Sequence, residues 1–209
     1  MRNLALMLVV ASPAAAEPVT IAALGDSLTQ GYGLAPEEGF VPQLQNWLTA
    51  QGAEVVLLNA GVSGDTTAGG LSRIDWTLTP DVDGVIVALG GNDVLRGLPP
   101  EQAKANLDGI LGKIGERDLP ALLVGIDAPS NFGTEYEAAF EAIYPELAVT
   151  HDALLFPNIL EGLMRLEDRA SVMRDHMQRD GIHPDGSGVQ FIVEAIGPKV
   201  LELIEHSQP

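Results

Sequence analysis

The 209-residue chain contains no cysteine. That excludes disulfides, thiolate nucleophiles and Cys-ligated zinc. Basic residues are scarce, with 11 Lys plus Arg against 29 Asp plus Glu and a formal net charge of -18. So negative a surface repels phosphate backbones and anionic lipid, which argues against nucleic acid as a partner. No apolar run approaches membrane-spanning length, so no integral membrane segment is expected. Histidines at metal-ligand spacing are missing, and no catalytic metal is indicated. Gly31-Tyr32-Gly33 lacks the third glycine of a dinucleotide fingerprint and does not supply a phosphate loop. No cofactor is expected.

What is present is a folding chain. Hydrophobic residues make up 46% of it, enough for a sizeable core, and the length suits one domain. At the N-terminus, Arg2 precedes an apolar stretch from Leu4 to Val10, and Ala14-Ala15-Ala16 offers a small-residue cleavage pattern. This reads as a bacterial secretory signal peptide over residues 1–16, cut near Ala16/Glu17. The expected product is a single domain over 17–209, exported to the periplasm or secreted.

Beyond the leader, nearly continuous apolar runs at Val19–Leu24, Glu54–Asn59, Gly84–Leu89, Ala121–Ile126 and, more weakly, Ala153–Phe156 read as strands buried on both faces. Helical periodicity fills the intervals. Phe40, Val41, Leu44, Trp47 and Leu48 share one face, with Gly52 as a stop. Pro100 to Arg117 carries Leu107, Ile110, Leu111 and Ile114, and Tyr136 to Val149 carries Phe140, Ile143, Tyr144 and Leu147. A last helix runs from about Gly188, and Gly197-Pro198 is expected to kink or break it before Val200 to Ile204. Alternating β and α elements imply an α/β fold of three layers, α/β/α. Right-handed crossovers then favour a flavodoxin-like, five-stranded parallel sheet of order 2-1-3-4-5.

The first three strands end in residues suited to acyl transfer. The first delivers Gly25-Asp26-Ser27, the second Asn59-Ala60-Gly61-Val62-Ser63-Gly64-Asp65-Thr66, the third Gly90-Gly91-Asn92-Asp93. Taken singly, Ser27 is a nucleophile or a cap, Gly64 an N–H donor or a turn, Asn92 an amide donor or a helix cap. In a parallel sheet the three loops share the carboxyl edge, where ligands bind. Near the C-terminus stands Asp180-Gly181-Ile182-His183-Pro184. Two side chains three residues apart can meet across a tight turn, so Asp180 can hold one ring nitrogen of His183 while the other faces a serine. His151, His176 and His206 have no comparable setting. Gly25-Asp26-Ser27-Leu28-Thr29 lacks the second glycine of the α/β-hydrolase nucleophile elbow.

These four blocks, in order, resemble the GDSL or SGNH hydrolase superfamily. The match is to Gly-Asp-Ser-Leu at 25–28, the block-two glycine at Gly64, Gly91-Asn92-Asp93, and Asp180 to His183. Among its branches the chain is similar to the bacterial periplasmic acyl-thioesterases, arylesterases and lysophospholipases. The resemblance implies Ser27, Asp180 and His183 as a catalytic triad, and an oxyanion hole from the Ser27 and Gly64 N–H groups and the Asn92 side chain. It implies a small-molecule acyl ester or thioester of short-to-medium chain as substrate. Asp26 and Asp93 would bond loop backbone. The segment Val94 to Pro100 would line the acyl pocket through Val94, Leu95 and Leu98, the alternative being an ordinary loop. Two other functions compete: a carbohydrate O-acetyl esterase of the same superfamily, and a non-catalytic flavodoxin-like binding module.

Overall fold

The computed structural model describes residues 17–208 except Pro129. The leader expected over 1–16 lies outside the described residues. Five parallel strands, β1 (Val19–Gly25), β2 (Val55–Gly61), β3 (Gly84–Ala88), β4 (Ala121–Val124) and β5 (Leu154–Phe156), form one sheet of order β2-β1-β3-β4-β5. Among the described residues ten α-helices surround them: α1 (Ser27–Gln30), α2 (Phe40–Ala50), α3 (Thr67–Thr77), α4 (Gly91–Leu95), α5 (Pro100–Gly115), α6 (Thr134–Glu141), α7 (Ile143–Thr150), α8 (Glu161–Met164), α9 (Arg169–Asp175) and α10 (Gly186–His206). Among the described residues no helix is long and apolar enough to cross a membrane.

Side chains along β1 alternate between two cores, as the pleat requires. Ile21 and Ala23 pack with Phe40, Leu44 and Leu48 of α2 and with Ile192, Ile196 and Val200 of α10. Ala22 and Leu24 pack with Ile74 of α3, Leu107 and Ile110 of α5, and Leu147 of α7. Register then fixes the geometry of the site. Gly25 lies opposite Gly61 on one side and Ala88 on the other, so the three loops that follow leave the sheet side by side.

Two helical expectations are corrected. The helix read over Tyr136 to Val149 is two helices that part at Ala142. Pro145 has no N–H to give the Glu141 carbonyl, and its ring crowds that turn. Conversely, Pro198 does not break α10, which runs through from Gly186 to His206. Pro198 and Glu194 both lie on the exposed face, where water can satisfy the carbonyl that loses its partner. The sequence pattern does not mark α3, where Gly69-Gly70 in the first turns weaken the helical signal.

Candidate active site

Asp26 caps α1, its side chain accepting the Leu28 N–H at 3.2 Å. Ser27 is therefore the first residue of a helix, and its N–H is one of the donors that a first turn leaves without an intrahelical partner. The Ser27 hydroxyl meets His183 Nε2 at 2.8 Å, and His183 Nδ1 meets Asp180 Oδ2 at 2.6 Å. The other carboxylate oxygen, Oδ1, accepts the N–H groups of Ile182 and His183, each at 3.0 Å. The hydrogen bond from His183, followed by these two backbone bonds, lowers the Asp180 pKa to about 2. An ionised Asp180 can only accept, so the shared proton sits on Nδ1 and the Nε2 lone pair faces the serine. The Tyr32 ring lies 4.8 Å from the imidazole, centroid to centroid, and tilted by 41°.

A cavity of about 390 Å³ is lined by Ser27, Gly64, Asn92 and His183 together. The size is typical of small-molecule sites. Gly64 sits at φ +82°, in the left-handed region that glycine adopts at no steric cost. Arg96 Nη2 donates to its carbonyl at 2.7 Å. Asn92 is in α4 and points its Nδ2 at Asp26 Oδ2, 3.4 Å away. An amide nitrogen has two protons, so one remains for a ligand. Burial raises the Asp26 pKa, against the Leu28 N–H, the His183 charge and Asn92, which lower it. Asp93 faces away from the cavity. It is buried and accepts the Thr67 N–H at 2.8 Å and the Thr67 hydroxyl at 2.6 Å, tying the third loop to α3.

The apolar segment after Asn92 divides. Leu95 is 56% exposed and lines the cavity. Val94 does not line it: the α4 helix turns this side chain into the core, leaving it 3% exposed among Leu24, Leu107 and Ile110. Leu98 is also off the cavity, half-buried, with its carbonyl accepting Tyr136 Oη at 2.9 Å. Of the other histidines, His151 pairs with Asp108 at 2.7 Å, His176 with Ser187 at 2.8 Å, and His206 ends α10.

Two polar side chains that sequence reasoning passed over hold these loops together. Arg73 of α3 donates to the carbonyls of Gly25 at 2.9 Å and Ala60 at 2.7 Å, and pairs with Asp65 at 2.6 Å. It thus ties the ends of β1 and β2 to the loop of Gly64. Gln178 Nε2 donates to the Tyr32 carbonyl at 2.8 Å and to the Pro184 carbonyl at 3.0 Å, while its N–H donates to the His183 carbonyl at 2.7 Å. Ser27 and His183, 156 residues apart in sequence, are thereby tied through the Tyr32 loop, whose own N–H donates to the Ser27 carbonyl at 3.0 Å.

A serine, histidine and aspartate in relay, on a flavodoxin-like sheet and beside a glycine and an asparagine, find direct parallels. The GDSL-like Lipase/Acylhydrolase family model matches residues 23–191. The chain belongs to this family. Esterase TesA of Pseudomonas aeruginosa is 35% identical over 186 residues, 88% of this chain and 89% of that protein. The Escherichia coli protein named Thioesterase 1/protease 1/lysophospholipase L1 is 36% identical over 202 residues, 96% of this chain and 92% of its own length. Among solved structures, AlinE4, described as an SGNH-hydrolase family esterase, is 43% identical with a TM-score of 0.73, covering 90% of this chain and 98% of that one. The family member described here is an ester-cleaving hydrolase of the serine esterase and thioesterase kind.

Proposed function

We propose that Ser27, His183 and Asp180 form the catalytic triad and that the reaction passes through an acyl-enzyme on Ser27. Ser27 Oγ forms a bond to the acyl carbonyl carbon as His183 Nε2 takes its proton, and Asp180 holds the ring and stabilises the imidazolium. The oxyanion is held by the N–H groups of Ser27 and Gly64 and by Asn92 Nδ2, donors fixed before charge develops. The bond to the leaving oxygen or sulfur then breaks, and the leaving group takes the proton from His183. Water attacks the acyl-enzyme, passing its proton to His183, and the bond to Ser27 breaks as that proton returns to Oγ.

The observation that carries this reading is the relay of 2.8 Å and 2.6 Å opening onto the cavity that Gly64 and Asn92 also line. Leu28, Leu95, Ile126, Ile159, Leu160 and Ile182 make that cavity predominantly apolar. Such walls favour the acyl esters or thioesters named for the relatives over acetylated sugars, whose hydroxyls would lie unpaired against them. The catalytic domain spans 17–209, preceded by a signal peptide over 1–16 that directs export, with no cofactor or metal in the chemistry. The test is hydrolysis of p-nitrophenyl esters by the wild type and Ser27→Ala. A fall of several orders of magnitude is expected in the variant, and unchanged turnover refutes the nucleophile.

A further inference from the structure

Asp26 lines the cavity next to Ser27 and takes no part in the relay. Its charge opposes an oxyanion developing close by, so its presence calls for a compensating role. The two carboxylate oxygens serve two donors of the site. Oδ1 accepts the Leu28 N–H at 3.2 Å and fixes the first turn of α1, where the Ser27 N–H is presented. That bond pins the carboxyl group and leaves Oδ2 facing α4. A Cβ at Gly91 would lie 3.1 Å from Oδ2, so the glycine lets the start of α4 come this close. Asn92 Nδ2 is then 3.4 Å from Oδ2, and among the described residues this is the one hydrogen bond of its side chain. A carboxylate only accepts, so it holds the nitrogen end of the amide and turns away the oxygen end.

We propose that Asp26 is a positioning residue of the oxyanion hole, whose carboxylate fixes which end of the Asn92 amide meets the substrate. With one Nδ2 proton held by Asp26, the second is left for the cavity. With the amide reversed, Oδ1 would turn lone pairs towards the oxyanion, and the donor would be lost. The assignment rests on the reading of Asn92 as an oxyanion donor, and goes beyond it by naming what orients that donor.

The test measures kcat and KM for p-nitrophenyl butanoate in the wild type, Asn92→Ala, Asp26→Asn, Asp26→Ser, and each Asp26 substitution combined with Asn92→Ala. Asparagine and serine both keep the cap of α1. In Asp26→Asn the cap takes the side-chain oxygen, so an NH2 group faces Asn92 and reverses its amide. In Asp26→Ser the shorter side chain leaves that amide free to turn. The nearer isostere should therefore be the worse enzyme. We expect kcat to fall about 100-fold or more in Asp26→Asn and no more than about tenfold in Asp26→Ser, with KM within about threefold in both. Each double variant should lie within about threefold of Asn92→Ala, because the paired changes remove the same donor. Inhibition by an alkyl trifluoromethyl ketone should weaken in parallel with kcat, since Ser27 Oγ adds to its carbonyl carbon, His183 takes the proton and an oxyanion forms. A kcat in Asp26→Asn within about twofold of wild type, a serine variant slower than the asparagine one, losses that multiply in the double variants, or unchanged inhibition overturns the role of Asp26 and leaves the oxyanion hole standing. Either substitution at Asp26 carries the cycle with Asn92→Ala should the other fail to fold. An Asn92→Ala enzyme as fast as the wild type sinks both readings.

Discussion

Gln178→Ala removes the two hydrogen bonds by which one side chain joins the histidine loop to the loop of Tyr32. Each such bond contributes about 1 kcal/mol net. The upper bound on lost stability is therefore about 2 kcal/mol, and less because water can reach the Tyr32 carbonyl. For a chain of this size that corresponds to a Tm lower by no more than about 4–8 °C. The kinetic effect should be larger in proportion. The 2.8 Å contact of His183 with Ser27 joins separate segments, and a misplacement of about 1 Å can cost on the order of 100-fold. We expect kcat to fall about 10- to 100-fold with KM within a factor of about three. Gln178→Glu is the sharper control, since it keeps the size but replaces a donor with an acceptor facing two carbonyls. It should be at least as impaired as the alanine variant. Steady-state kinetics on p-nitrophenyl butanoate and thermal melts by circular dichroism give both readouts. A kcat within twofold of wild type in both variants would refute a positioning role, whatever happens to Tm.

Asn92→Ala should lower kcat about 100- to 1000-fold with little change in KM, as expected for a donor engaged in the transition state; equal losses from both ground and transition states, seen as a raised KM at constant kcat, would contradict it. Asp180→Asn should lower kcat by up to about 10⁴-fold by favouring the wrong tautomer of His183. Its pKa of about 2 also fixes a stability signature. The contribution of the ionised group is present above the ordinary carboxyl value near 3.9 and is lost as pH falls towards 2, so wild type and Asp180→Asn should converge in Tm on acidification over that window. A constant Tm difference from pH 5 to pH 2 would refute it. Gly90→Ala should fail to fold or lose about 3 kcal/mol or more, measured by denaturant titration: φ is +126° there, and an added Cβ would lie 2.2 Å from the buried Tyr144 hydroxyl. A stable alanine variant would contradict the close approach.

The strands were legible because parallel strands buried on both faces read as continuous apolar runs: β1, read as Val19–Leu24, is Val19–Gly25, and β5, read as Ala153–Phe156, is Leu154–Phe156. Helix ends depended on context the sequence lacks. Pro145 and Pro198 are the same residue with opposite outcomes, one at a break and the other within an unbroken helix on an exposed face. In the site, Ser27 sits beside its cap, and Asp180 and His183 lie within one turn, so short contiguous motifs brought them into view. The split between Leu95 and Val94 was hidden, since neighbouring apolar residues on a short helix point in different directions. Arg73 and Gln178 were hidden for another reason. Their partners are mainly backbone carbonyls, which every residue has, so no pairing of residue types marks them. A Gly-Tyr-Gly segment a few residues past Ser27 was the one available hint of the Tyr32 loop.

The most direct test of the central claim is the mass of the enzyme acid-quenched during turnover of a p-nitrophenyl ester, with the modified peptide sequenced. The account predicts one acyl group per chain, on Ser27, absent from Ser27→Ala together with turnover. An acyl group on any other residue, or turnover surviving in Ser27→Ala, would contradict it.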